Sequence, residues 1–163
     1  MGRYALYWTP APGPLATFGA AWLGWDPATG TAPTPPDLSG LPRPRAEITA
    51  APRKYGLHAT LKAPFHLAAG TDEAGLRAAL SAFAERTPRA LCDGLGLARM
   101  GGFLALTPRG DTTGIDACAA AVVEALDAFR APPSESELSR RRQSGLTPRQ
   151  DALLLRWGYP YVM

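Results

Sequence analysis

Three side chains spaced two residues apart, His58, Thr60 and Lys62, carry the chemistry that this sequence offers most openly. An imidazole moves a proton near neutral pH, a hydroxyl holds an oxygen, and an ammonium offsets developing negative charge. Together they suit attack on a phosphate ester. Alternate side chains of a strand share a face, so the three should point one way while Leu57, Ala59, Leu61 and Ala63 form an apolar backing. Just upstream, Arg53, Lys54 and Tyr55 read either as phosphate contacts or as surface groups flanking a strand, and Lys62 is open to the same two readings. His66, the only other histidine, is followed by Leu67 and not by a second His-x-Thr pattern; it reads as a structural or solvent-exposed residue.

A strand over 55–65 is needed to present that row, and the rest of the chain supplies its support. Residues 3–8 alternate as a second strand, stopped by Pro10, Pro12 and Pro14. Leu15, Phe18, Trp22 and Trp25 then recur at helical spacing. The stretch 26–52 holds seven prolines from Pro27 to Pro52 and reads as an irregular loop, a lid that delivers the chain to His58.

Downstream, Thr71-Asp72-Glu73 should open a helix with Thr71 as its cap, and Leu76, Leu80 and Phe83 mark its core face. Strands over 95–100 and 103–107 meet at Gly101-Gly102 as a hairpin. A helix over 115–129 follows, stopped by Pro132-Pro133. Ser134 with Glu137, and Thr147-Pro148 with Gln150, announce two last helices. The pattern is α+β.

The 163 residues amount to a single domain, and 46% hydrophobic content is enough to build a core. No apolar run is long enough to span a bilayer, and the first residues do not form a signal peptide, which places the protein in the cytoplasm. Cys92 and Cys118 sit among apolar neighbours as reduced core residues. With two histidines and no paired cysteines, neither a metal site nor a cofactor is expected. The net charge of +3 is carried almost wholly by arginine, which permits anionic ligands without demanding them. Arg140-Arg141-Arg142, the one dense cluster, reads as a solvated helix face.

The His-x-Thr at His58 resembles one half of the signature of the two-histidine phosphoesterases, which include RNA-ligase-like proteins and cyclic phosphodiesterases. The segments Arg3-Tyr4-Ala5-Leu6-Tyr7-Trp8, Pro52 to Phe65, Phe129-Arg130-Ala131-Pro132 and Trp157-Gly158-Tyr159-Pro160-Tyr161-Val162 look more specifically like a phosphonate-metabolism family within that group. The resemblance implies a two-lobed fold of small antiparallel sheets flanked by helices. It also implies one His-x-Thr strand on each side of a cleft, one histidine acting as base and the other as acid, with no metal required. Carried onto this chain, His58 is catalytic and Thr60 holds phosphate. The second motif, which in the family follows the Tyr-Pro-Tyr-Val stretch, has no counterpart before Met163. The second lobe is therefore expected to be incomplete, and whether these residues alone are active is left open.

These readings point to a metal-independent phosphoesterase for a small phosphorylated sugar or nucleotide. The alternatives are a non-catalytic module that binds phosphate or nucleotide through one intact motif, or an RNA-binding protein using Arg140 to Arg142. An uncovered sheet edge further implies a homo-oligomer.

Overall fold

A computed structural model describes residues 2–162, and the chain divides into two compact units, Leu6–Thr60 and the remainder. The architecture is α+β. Strand β1 (Tyr4–Trp8) pairs with β2 (Ala59–Phe65), and the division between the units falls within both strands.

In the unit 6–60, helix α1 (Pro14–Leu23) starts on a proline at its first turn and ends at Gly24. Its last carbonyls have no partners within the helix, and two arginines supply them, Arg45 from the proline-rich stretch and Arg53 just after it: Arg45 donates to Trp22 O at 2.6 Å and Arg53 to Leu23 O at 3.1 Å. The stretch 26–52 is thus less formless than its prolines imply. It contains a bridge between Asp26 and Thr31 and a single helical turn, α2 (Arg45–Ile48), and a 3₁₀ turn begins at Pro52. Leu6, Ala20, Leu23 and Thr49 are its buried residues of note.

The strand expected over 55–65 begins four residues late. Pro52–Lys54 winds into that 3₁₀ turn, and Gly56 takes a φ of 71°, a left-handed conformation that cannot continue into a strand. The same position leaves no room for a side chain, since a Cβ would lie 2.6 Å from Pro27 Cδ. His58 therefore stands in the loop before β2, and its direction is set by the Gly56 turn and not by strand alternation.

The other unit holds helices α3 (Glu73–Arg86), α4 (Thr113–Ala125), α5 (Glu135–Arg142) and α6 (Pro148–Trp157), with a hairpin of β3 (Gly94–Met100) and β4 (Phe103–Arg109). Its core gathers Leu126 and Leu154, both wholly buried, with Val122, Val123, Phe65, Leu76, Phe83 and Leu138. Both expected capping boxes are present, Ser134 with Glu137 and Thr147 with Gln150.

Two helix ends differ from the sequence expectation. Asp72, not Thr71, caps α3 by accepting from Gly75 N at 2.7 Å, while the Thr71 hydroxyl turns back to Ala68 O. The helix over 115–129 breaks near Leu126 and finishes as a 3₁₀ turn, Asp127–Phe129. That break lets Asp127 turn toward Lys62. Cys92 and Cys118 are free and half-buried. No helix among the described residues is long and apolar enough to cross a membrane.

Candidate functional site

His58 is half-buried, and its ring is held from three directions. Nδ1 lies 3.0 Å from the Gly56 carbonyl oxygen, the Tyr7 ring lies 4.2 Å away between centroids, and the Tyr55 ring lies 5.9 Å away. A carbonyl can only accept a hydrogen bond, so Nδ1 carries the proton. In the neutral ring, Nε2 is then the basic nitrogen. The Gly56 turn thus selects the tautomer that can take a proton at the end of the ring away from the backbone.

Of the other residues named from sequence, Thr60 is the second residue of β2 and is exposed, and Tyr55 and Lys54 are exposed as well. Arg53 is half-buried and committed to the backbone. Besides Leu23 O it donates to Ala46 O at 3.0 Å and to the Thr49 hydroxyl at 3.0 Å. In the same unit a cavity of about 450 Å³ opens between the segment around Thr9 and Thr17 and the turn at Asp26 to Thr29, with Leu57 on its wall. That volume suits a small organic ligand.

Lys62 lies only 3% exposed, in the core of the other unit. Its ammonium donates to Val123 O at 2.9 Å and to Asp127 Oδ1 at 3.2 Å. Burial pulls its pKa down, and the hydrogen bond and charge of Asp127 partly restore it. Asp127 also accepts both arms of Arg130, Nε at 2.7 Å and Nη2 at 3.1 Å. Burial pushes the Asp127 carboxyl up, but hydrogen bonds from Arg130 and Lys62 more than reverse this and hold it below its usual range. Two cations therefore share one carboxylate.

Sequence reasoning missed Gly56, Asp127 and Arg130 as positioning residues. Gly56 carried a signal, a glycine two residues before the histidine. Asp127 carried none, because it sat inside what reads as an unbroken helix. Among the described residues no group of three His, Cys, Asp or Glu side chains gathers as a metal site.

Residues 60–163 match a family model described as "Protein of unknown function (DUF1045)". The chain is 42% identical over 164 residues to the ribose 1,5-bisphosphate phosphokinase PhnN of Janthinobacterium sp. (strain Marseille), covering 99% of this chain and 36% of that protein. It is 39% identical over 163 residues to the protein of the same name from Laribacter hongkongensis (strain HLHK9), covering 98% of this chain and 37% of that one. The chain thus spans about a third of the length of these curated relatives. No solved structure matches it.

Proposed function

The chain belongs to the family described as a protein of unknown function, DUF1045, and we propose that it is a cytoplasmic, metal-independent phosphoesterase region acting on a small phosphorylated sugar. The observation that carries this reading is the Nδ1 contact to Gly56, which leaves Nε2 of His58 as a base. In hydrolysis of a cyclic phosphodiester, Nε2 removes a proton from water as the water oxygen bonds to phosphorus and one P–O ester bond breaks. The departing oxygen takes a proton from a second acid. Thr60, exposed at the start of β2, is the hydroxyl assigned in this proposal to hold a phosphate oxygen. The likeness to the phosphonate-metabolism family, and to relatives named for a ribose bisphosphate, supports ribose as the sugar and phosphonate breakdown as the setting.

A phosphokinase activity is the name of the relatives, proteins nearly three times as long. A phosphate-binding loop of the Gly-Lys-Ser/Thr type needs a lysine after glycine. The two lysines here, Lys54 and Lys62, follow Arg53 and Leu61. A loop of that type is therefore not formed by these 163 residues.

A second His-x-Thr motif, the family's source of the second acid, is not present in this sequence. His66 lacks that pattern, and its Nδ1 lies 3.3 Å from Gly2 O. Turnover by these residues alone is therefore expected to be slow, by the ~10²–10⁴-fold that one proton-transfer group contributes. The test is hydrolysis of five-membered cyclic phosphodiesters of ribose, followed by ³¹P NMR in the presence of chelator. Slow turnover that disappears in His58→Ala supports the proposal. Turnover that is unaffected by His58→Ala, or that chelator abolishes, refutes it.

A further inference from the structure

The three arginines that read as one solvated face of α5 go to three different places. Arg140 approaches Glu137 at 3.9 Å, and Arg142 pairs with Asp151 at 2.6 Å. Arg141 does neither: its guanidinium lies over the Tyr159 ring, 5.1 Å from the centroid, and among the described residues it has no carboxylate partner. It is half-buried and lines a cavity of about 30 Å³ whose walls include Lys62, His66, Arg130, Glu137 and Tyr159.

The walls of this cavity are built, not incidental. Backbone pairing of the segment after β2 with the end of α4's 3₁₀ turn, Ala131 N to His66 O at 2.8 Å and Ala68 N to Phe129 O at 2.9 Å, brings Arg130 beside Lys62. Arg130 Nη2 also donates to Arg156 O, which ties the guanidinium to the end of α6. Gly158, at φ 74°, lets the chain turn there and leaves space for that guanidinium, since a Cβ would lie 3.0 Å from its Nη1. Tyr159 follows directly and supplies the stacking face for Arg141.

Charge is not balanced in this cavity. Asp127 is shared by Lys62 and Arg130, while Glu137, the one carboxylate on the cavity wall among the described residues, accepts from the Ser134 amide and lies 3.9 Å from Arg140. Arg141 is the cation left over. Arg130 uses Nε and Nη2 on Asp127 and Arg156, while its Nη1 has only the distant Ala131 carbonyl at 3.5 Å. A stacked guanidinium without a carboxylate partner beside a second guanidinium with a spare donor, at a small cavity partly open to solvent, is an arrangement that can hold the oxygens of an oxyanion.

The geometry points to a phosphate-binding subsite in this cavity, in which Arg141 is the principal ligand and Arg130 the second donor, taking one phosphate group, free or terminal on an ester. The space is small, so only part of a phosphate's oxygens would enter it and the rest of any ester would lie outside. This inference does not depend on the role given to His58.

The test is calorimetric titration of the full chain with inorganic phosphate in a buffer free of other oxyanions, repeated with ribose 5-phosphate as competitor. Saturable binding that Arg141→Gln weakens by ~10-fold or more, the loss of one charged hydrogen-bonding partner, supports the subsite. Arg141→Lys keeps the charge and the helix but loses the fork and the stack. It should also weaken binding, and it serves if the glutamine variant does not fold. Displacement by ribose 5-phosphate identifies a terminal ester phosphate as the ligand, and failure to displace identifies the free anion. The proposal is overturned if the wild-type chain shows no saturable binding, if both Arg141 variants bind as tightly as wild type, or if binding is lost in His58→Ala and retained in Arg141→Gln.

Discussion

The carbonyl oxygen of Gly56 lies 3.0 Å from Nδ1 of His58, two residues further along the chain. That contact exists because Gly56 adopts a backbone conformation that side chains resist, in a space that Pro27 closes to any Cβ. The orientation of the histidine therefore depends on a residue with no side chain.

Substituting Gly56→Ala should release His58 from its tautomer. In ¹⁵N NMR of the neutral ring, wild type should show the proton on Nδ1 and the variant a mixture of tautomers. Hydrolysis of a cyclic phosphodiester should fall by ~10²-fold, as a misplaced catalytic group typically costs, and the loss should appear in kcat rather than KM. A variant with wild-type kcat would show that the contact does not prepare the ring for chemistry.

The residue types proposed for the site can be read from the sequence, and their directions cannot. Strand alternation identifies β2 from Ala59 to Phe65, but the same pattern runs on through Tyr55 and Gly56, where a 3₁₀ turn and a left-handed glycine interrupt the strand. Capping signals for α5 and α6 were read accurately because both partners of each box lie within four residues. The pairing of Lys62 with Asp127 joins residues 65 apart and leaves no local trace. Arg53 shows the same gap. Its chemistry suited a phosphate, yet the open end of α1, 30 residues earlier, takes its guanidinium.

Arg53 and Lys54 should therefore respond differently to truncation. Arg53→Ala removes charged hydrogen bonds to the Leu23 and Ala46 carbonyls and should destabilise the chain by about 2 kcal/mol in denaturant unfolding. Lys54→Ala, at an exposed position, should leave the midpoint within about 0.5 kcal/mol of wild type. Equal midpoints for the two variants would contradict the capping role given to Arg53.

Asp127 provides a pH-dependent prediction. Its carboxyl is held below the usual range in the folded chain, so the stability it contributes is fully present above the unfolded carboxylate value of about 3.9 and is lost as pH falls through the lower folded value. Asp127→Ala leaves Lys62, and Arg130 beside it, without their counter-charge and should cost about 3–5 kcal/mol near neutral pH. Asp127→Asn should lose less, and its thermal midpoint should fall less steeply than that of wild type between pH 5 and the acid limit, a range set by about one unit above that unfolded value. If the wild-type and Asn profiles run parallel through this range, Asp127 is not the titrating group.

The last prediction concerns the β3–β4 hairpin, where Leu97 faces Leu106 and Arg99 faces Leu104 across the ladder. Alternation puts Leu95, Leu97, Leu104 and Leu106 on one face, and that face is exposed: Leu97 is 69% exposed and Leu104 66%. Gly96, Ala98, Ala105 and Thr107, in the middle of the opposite face, are buried or half-buried, while Met100 and Phe103 at its turn end are exposed. An antiparallel pair usually turns its polar residues to water, so four leucines in that position form an apolar patch that water disfavours. Among the described residues no third strand pairs with the hairpin, which leaves its outer backbone edges open too. The chain should bind an apolar dye and, in a light-scattering dilution series, associate with rising concentration. Replacing Leu97 and Leu104 together by lysine should reduce both signals while leaving the circular dichroism spectrum unchanged, because neither side chain contributes to the core. A chain that stays monomeric across the series and binds no dye would show that this leucine face is covered in solution, and the expected self-association would then be wrong.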